Sequence, residues 1–170
     1  MSDGRGVELY LVTDTALCGG PDGVVETAEA AARGGVDMIQ IRDHDASTRE
    51  LCSLTTRVID AVATARRVRV VVDDRLDVAL AVGADGVHLG QSDLDPVVAR
   101  RLADRVVGEG FHLGWSVSNL EQVAAATRLP RGTVDLLGIG PFRATPTKPD
   151  AAQPLSLIHI SEPTRLRRIS

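Results

Sequence analysis

Six short apolar runs alternate with helix-like segments along this chain, and that alternation limits the possible folds more than any other feature. Residues 8–13, 36–42, 69–72, 86–89, 111–115 and 134–139 read as strands. Between them, 24–33, 47–65, 76–82, 95–105 and 119–128 read as helices. Ser47 followed three residues later by Glu50 makes a capping box, and Pro96 suits a first helical position. Strands joined through helices run parallel, so the pattern predicts repeated βα units. Ala, Val, Leu and Ile supply most of the apolar content, which suits buried strands under Ala-rich helices.

Two parallel architectures compete. A doubly wound open sheet usually carries a Gly-rich dinucleotide turn after its first strand, and residues 14–23 contain no GxGxxG. A (β/α)8 barrel of the TIM type needs eight units, and six are legible here. The polar residues favour the barrel. Gln40, Arg42, Asp73, Asp74, Gln91, Asp93, Ser116, Thr145 and Lys148 all lie at or just past the C-terminal ends of different strands. A barrel spreads its chemistry around that rim, whereas an open sheet gathers it at one switch point. The expected fold is therefore an incomplete (β/α)8 barrel over residues 1–150, with its last two strands missing. Residues 151–170 lack helical or strand periodicity and end in a basic stretch with Arg165, Arg167 and Arg168. They are expected to be a non-family tail, artefactual or disordered.

Charge and composition remove several function classes. The net charge of −4 provides no basic field for nucleic acid, and 2% aromatics provide no stacking platform. No run approaches the roughly 18 apolar residues of a membrane span, and no signal peptide is visible at the start. Cys18 and Cys52 are far apart with no CxxC partner, so a disulfide framework or zinc site is not expected. The expected location is cytoplasmic, with neither nucleic acid nor membrane as partner.

Three groups of residues are suited to chemistry. Gln40 and Arg42 end the second strand on the same side of the sheet, where forked donors suit a phosphate or pyrophosphate. An arginine paired with a core carboxylate is the equal alternative. Asp73-Asp74 and Asp93 follow neighbouring strands, a spacing that suits a hard divalent cation. An exposed acidic rim, with Asp73 or Asp93 capping the next helix, is the plainer reading. Thr145, Thr147 and Lys148 follow Gly138-Ile139-Gly140-Pro141 and form either an anion-binding loop or an ordinary Pro-rich turn. Ser116, after Gly114-Trp115, adds a further hydroxyl.

Taken together, the segments IQIRDHD, VVDDRLDVAL, ADGVHLGQSDL, GWS and GIGPFRATPTK resemble the thiamine phosphate synthase family over roughly Glu8 to Asp150. The resemblance implies a (β/α)8 barrel and a transferase. That transferase couples hydroxymethylpyrimidine pyrophosphate with hydroxyethylthiazole phosphate, giving thiamine phosphate and pyrophosphate. It implies Mg²⁺ as cofactor, with Asp74 and Asp93 as its ligands. Gln40, Arg42, Ser116 and Lys148 would hold the pyrimidine pyrophosphate, and Thr145 and Thr147 the thiazole phosphate. His44 and Asp73 would line the same substrate site. The implied partners are phosphorylated small molecules. Pyrophosphate leaves first and the thiazole nitrogen then attacks, so no protein nucleophile or general base is expected.

Three departures from the family pattern stand out. Asp73 occupies a position where Asn is common, and His44 one where Lys is expected. The last two strands and their Gly-rich loop are expected to be missing, which would leave the 170-residue chain too short for competent synthesis by itself. Two rival readings remain at this level. A thiazole tautomerase-like barrel should have histidine where this chain has Ser118, and should lack the Asp pair and the TxTK loop. An inactive barrel fragment would bind a phosphorylated metabolite without turnover.

Overall fold

A computed structural model describes residues 8–64 and 68–140. Six parallel strands form one sheet: β1 (Tyr10–Val12), β2 (Met38–Ile41), β3 (Arg69–Asp73), β4 (Gly86–Leu89), β5 (His112–Val117) and β6 (Leu136–Ile139). Five helices connect them: α1 (Pro21–Gly34), α2 (Thr48–Val62), α3 (Leu76–Val82), α4 (Pro96–Val106) and α5 (Leu120–Arg128). Each strand pairs with the one before it, in the order β1-β2-β3-β4-β5-β6. A doubly wound sheet reverses direction at an internal strand, and this sheet never reverses. The described architecture is a curled half-barrel of six parallel strands.

One long contact demonstrates the curl. The rings of Tyr10 on β1 and His88 on β4 lie 6.4 Å apart. Three strand spacings in a flat sheet would separate their backbones by about 14 Å. Only a closing curvature brings both side chains into one interior. Gly114 on β5 and Gly138 on β6 face the same imidazole. A Cβ on Gly138 would stand 3.0 Å from His88 Cε1, and one on Gly114 would collide with the ring. These two glycines are where the concave face makes room.

Alternation along the strands separates two faces. Ile39, Ile41, Val70, Val72, Val87, Leu89, Leu113 and Val117 pack with the helices, meeting Val24, Ala28, Leu54, Val58, Val78 and Ala99. Met38, Gln40, Val71 and His88 are also buried but lie on the opposite, concave face. Burying each large aliphatic side chain contributes about 1.5–3 kcal/mol. The convex layer is thus the stabilising core, and the concave face has room for polar groups.

Local signals account for the helix ends. Ser47 and Glu50 form the expected reciprocal box, with Ser47 N–H donating to Glu50 Oε2 at 2.9 Å. Asp95 caps α4 by accepting from Val97 N and Val98 N at 2.9 and 3.1 Å. α1 starts at Pro21, three residues before the run of periodic apolar positions, because Pro is well placed in a first turn. Strand β5 runs on to Val117, so Ser116 lies within the strand.

The N-terminal ends of the strands share a repeated device. Asp37, Asp85 and Asp135 precede β2, β4 and β6. Their carboxylates accept the backbone N–H of Leu9, Val70 and Leu113 at 3.0, 2.8 and 2.8 Å. Each aspartate's own N–H donates back to the carbonyl of the same residue, at 2.9, 2.8 and 2.8 Å. Strands are thereby locked in pairs at this floor. Arg100 from α4 completes the third pair, donating to Thr133 O, Phe111 O and Asp135 Oδ2 at 3.1, 2.7 and 2.7 Å.

Candidate functional site

The opposite, C-terminal ends of the strands gather most of the candidate residues. β2 ends one residue before Arg42, whose backbone N–H donates to Thr13 Oγ1 at 3.2 Å. Thr13 is buried and also donates from its hydroxyl to Gln40 O at 3.1 Å, so one side chain fixes the exit of β2 against the end of β1. The Arg42 guanidinium lies between two carboxylates, with Nη1 3.5 Å from Asp14 Oδ2 and Nε 3.5 Å from Asp73 Oδ2. Both contacts are long, so its donors remain available to a closer anion. Gln40 is only 4% exposed, and its amide nitrogen has no hydrogen-bond partner among the described residues. A buried donor without an acceptor is costly, and a polar ligand would relieve it.

The carboxylates converge beside this arginine. Asp73 closes β3, and Asp74 follows with φ 59°, a left-handed conformation that aspartate tolerates better than most residues. Its N–H donates to His88 O at 2.8 Å, which ties the turn to β4. The Asp93 carboxyl lies close enough to Asp74 to act on its proton affinity. Asp93 Oδ2 also accepts the Gly90 N–H at 2.6 Å, and a Cβ at Gly90 would stand 2.9 Å from that oxygen. Burial, then the charges of Asp73 and Asp93, push the Asp74 carboxyl from its ordinary 3.8 up to about 7. Neither Asp73 nor Asp93 caps a helix.

His44 contacts two of the carboxylates, with Nδ1 3.6 Å from Asp74 Oδ2 and Nε2 3.8 Å from Asp73 Oδ2. His44, Asp73 and Asp74 present ligand atoms within 4.8 Å of one another. The two positions that depart from the family pattern are therefore neighbours in space. Crowded carboxylates with oxygen donors suit a hard divalent cation, which would remove the repulsion that raises Asp74. The residues present thus fit such an ion.

On β5, Ser116 Oγ lies 2.9 Å from His88 Nε2, and Ser116 O accepts from Gln91 Nε2 at 2.6 Å. The fold brings Gln40, Arg42, His44, Asp73, Asp74, Asp93 and Ser116 to the C-terminal ends of four consecutive strands. Thr145, Thr147 and Lys148 lie outside the described residues. Thr13, Asp14 and His88 belong to this network and were missed by motif reading. Alternation in β4 places His88 inward, the one signal that could have singled it out. A cavity of about 460 Å³ lies instead beside the floor, against Tyr10, Met38, Arg69 and His112. It contains none of the candidate residues, and the rim remains the better site on chemical grounds.

Comparisons with known proteins point to one family. The family model for thiamine monophosphate synthase matches residues 9–168. The chain is 42% identical over 153 residues to a thiamine-phosphate synthase of Albidiferax ferrireducens, covering 90% of this chain and 66% of that protein. It is 43% identical over 145 residues to a thiamine-phosphate synthase of Azorhizobium caulinodans, covering 85% and 64%. Among solved structures it is similar to the thiamine phosphate pyrophosphorylase from Pyrococcus furiosus, with a TM-score of 0.67 and 35% identity, covering 80% of this chain and 61% of that one. The chain spans just under two thirds of the length of these relatives.

Proposed function

Because this chain belongs to the thiamine monophosphate synthase family, we propose that its rim serves the coupling of hydroxymethylpyrimidine pyrophosphate with hydroxyethylthiazole phosphate. The products are thiamine phosphate and pyrophosphate. The observation that carries this reading is the convergence of Gln40, Arg42, Asp74, Asp93 and Ser116 at the ends of consecutive parallel strands. The loosely held Arg42 supplies forked donors to the pyrophosphate, and the unpartnered Gln40 amide supplies another. Asp73 keeps the guanidinium oriented, and His44 offsets part of the acidic charge when protonated. Asp74 and Asp93 would hold Mg²⁺, which when bound opposes the negative charge that builds on the departing pyrophosphate.

Pyrophosphate departure precedes attack by the thiazole nitrogen, so the protein's task is to place and stabilise charge. Donors fixed before the bond breaks do this with little reorganisation. Thr13 contributes by fixing the backbone on which Arg42 stands. Thr145, Thr147 and Lys148 are assigned to the substrate phosphates by family resemblance. The partners are phosphorylated small molecules, and no helix among the described residues is long and apolar enough to cross a membrane.

Two measurements on the 170-residue chain test the reading. Titration calorimetry with inorganic pyrophosphate and Mg²⁺ should show binding that Arg42→Ala weakens by about tenfold or more, the loss of a charge-assisted contact. Pyrophosphate release is then assayed with both substrates. Release dependent on both substrates supports coupling. A wild-type chain that neither binds pyrophosphate nor releases it removes the assignment of the rim.

A further inference from the structure

Ser116 is a weak anion donor unless its single proton points outward, and the structure contains a group able to enforce that direction. His88 is 8% exposed, its ring set 6.4 Å from Tyr10 and bordered by Gly114 and Gly138. The ring therefore has little freedom to turn, and its Nε2 lies 2.9 Å from Ser116 Oγ. A serine hydroxyl has one proton and two lone pairs, and a neutral imidazole has one N–H. If Ser116 donated to His88, only lone pairs would remain to face an anion. If His88 donates, the hydroxyl proton is left for the ligand.

We infer that His88 is a positioning residue for the rim: it donates from Nε2 to Ser116 Oγ and turns the serine proton toward a bound pyrophosphate. The inference rests on the proposed pyrophosphate site and names the residue that sets its serine. The same residue anchors the acidic side, since its carbonyl accepts the Asp74 N–H and its backbone pairs with Asp73 across β3 and β4. One position on β4 thus joins the carboxylate turn to the hydroxyl two strands from it.

The test is a double-mutant cycle on the full chain, read by calorimetry with inorganic pyrophosphate and Mg²⁺. His88→Leu, which keeps bulk and removes the donor, should weaken binding about tenfold, in keeping with one misplaced hydrogen bond to a charged group. His88→Gln, whose amide can still donate, should recover most of the loss. In a Ser116→Ala background, His88→Leu should add no further loss. Equal losses with and without Ser116 would show a merely structural role and overturn the inference. So would full binding by His88→Leu where Ser116→Ala is weak. A second readout needs no variant: imidazole ¹H–¹⁵N spectra of the wild type should place the proton on Nε2, and a proton on Nδ1 alone overturns the assignment. Failure of the wild-type chain to bind pyrophosphate would instead bring down the site reading and the inference with it.

Discussion

The two ends of the strands use the same residue types for opposite purposes. At the N-terminal floor, Arg100 donates from three nitrogens at 2.7–3.1 Å, and Asp37, Asp85 and Asp135 each accept a backbone N–H. At the C-terminal rim, Arg42 reaches its carboxylates only at 3.5 Å, and Asp74 is crowded by Asp73 and Asp93. At the floor, Arg100 and the three aspartates find their partners within the protein, so this network contributes stability. The rim has left its charges incompletely matched, so it has interaction energy still to gain from a ligand. This is the division expected of parallel barrel folds, where one end is structural and the other chemical.

The comparison can be broken most severely at the floor. Asp135→Ala deprives Arg100 of the nearer of its two carboxylates, leaving Asp104 at 3.7 Å, and the Leu113 N–H of its acceptor, and should destabilise the chain by about 2–3 kcal/mol. Pyrophosphate affinity measured on the remaining folded protein should not change. Chemical denaturation that found no loss would mean the floor network is ornamental. Asp85→Ala removes one backbone acceptor and, among the described residues, no arginine partner, so the expected cost falls to about 1–2 kcal/mol.

The smallest effect, of opposite sign, belongs to the rim. Near pH 3.5 Asp74 is mostly protonated whether the chain is folded or unfolded, so it contributes little to the pH dependence there. As pH rises from about 4 to about 7, the unfolded chain releases this proton first and the folded state is progressively penalised. Above about 7 the penalty is complete. Asp74→Asn should therefore stabilise the chain at pH 8, on the order of 1 kcal/mol after solvent screening, and leave it nearly unchanged at pH 3.5. The same variant should lose the Mg²⁺-linked rise in thermal midpoint that the wild type is expected to show. A variant less stable than wild type at pH 8 without metal would show that Asp74 is structural.

The division between the two ends also explains what the sequence made legible. The strand and helix alternation and the capping box at Ser47 follow from local signals, and both recur in the structure. Asp74 and Asp93 were recognisable because consecutive parallel strands put their ends side by side. His88, Thr13 and Asp14 were not, because their importance lies in contacts across strands: Thr13 with Arg42, Asp14 with Arg42, His88 with Ser116. The proximity of His44 to Asp73 is of the same kind, since 29 positions separate them in the chain and 3.8 Å in space. Strand order also settled what motifs left open, because a sheet that never reverses has no internal switch point.

That order has a consequence for how the chain acquires its shape. Every strand pairs with the strand made immediately before it, and the paired positions are separated by between 15 residues, from Val71 to Gly86, and 31 residues, from Met38 to Arg69. No described pairing waits for a distant part of the chain. Closing loops of such similar length costs nearly the same entropy at each step, since the cost grows only with the logarithm of loop length. The sheet can therefore assemble vectorially, each new βα unit docking on an edge already present as the polypeptide emerges from the ribosome.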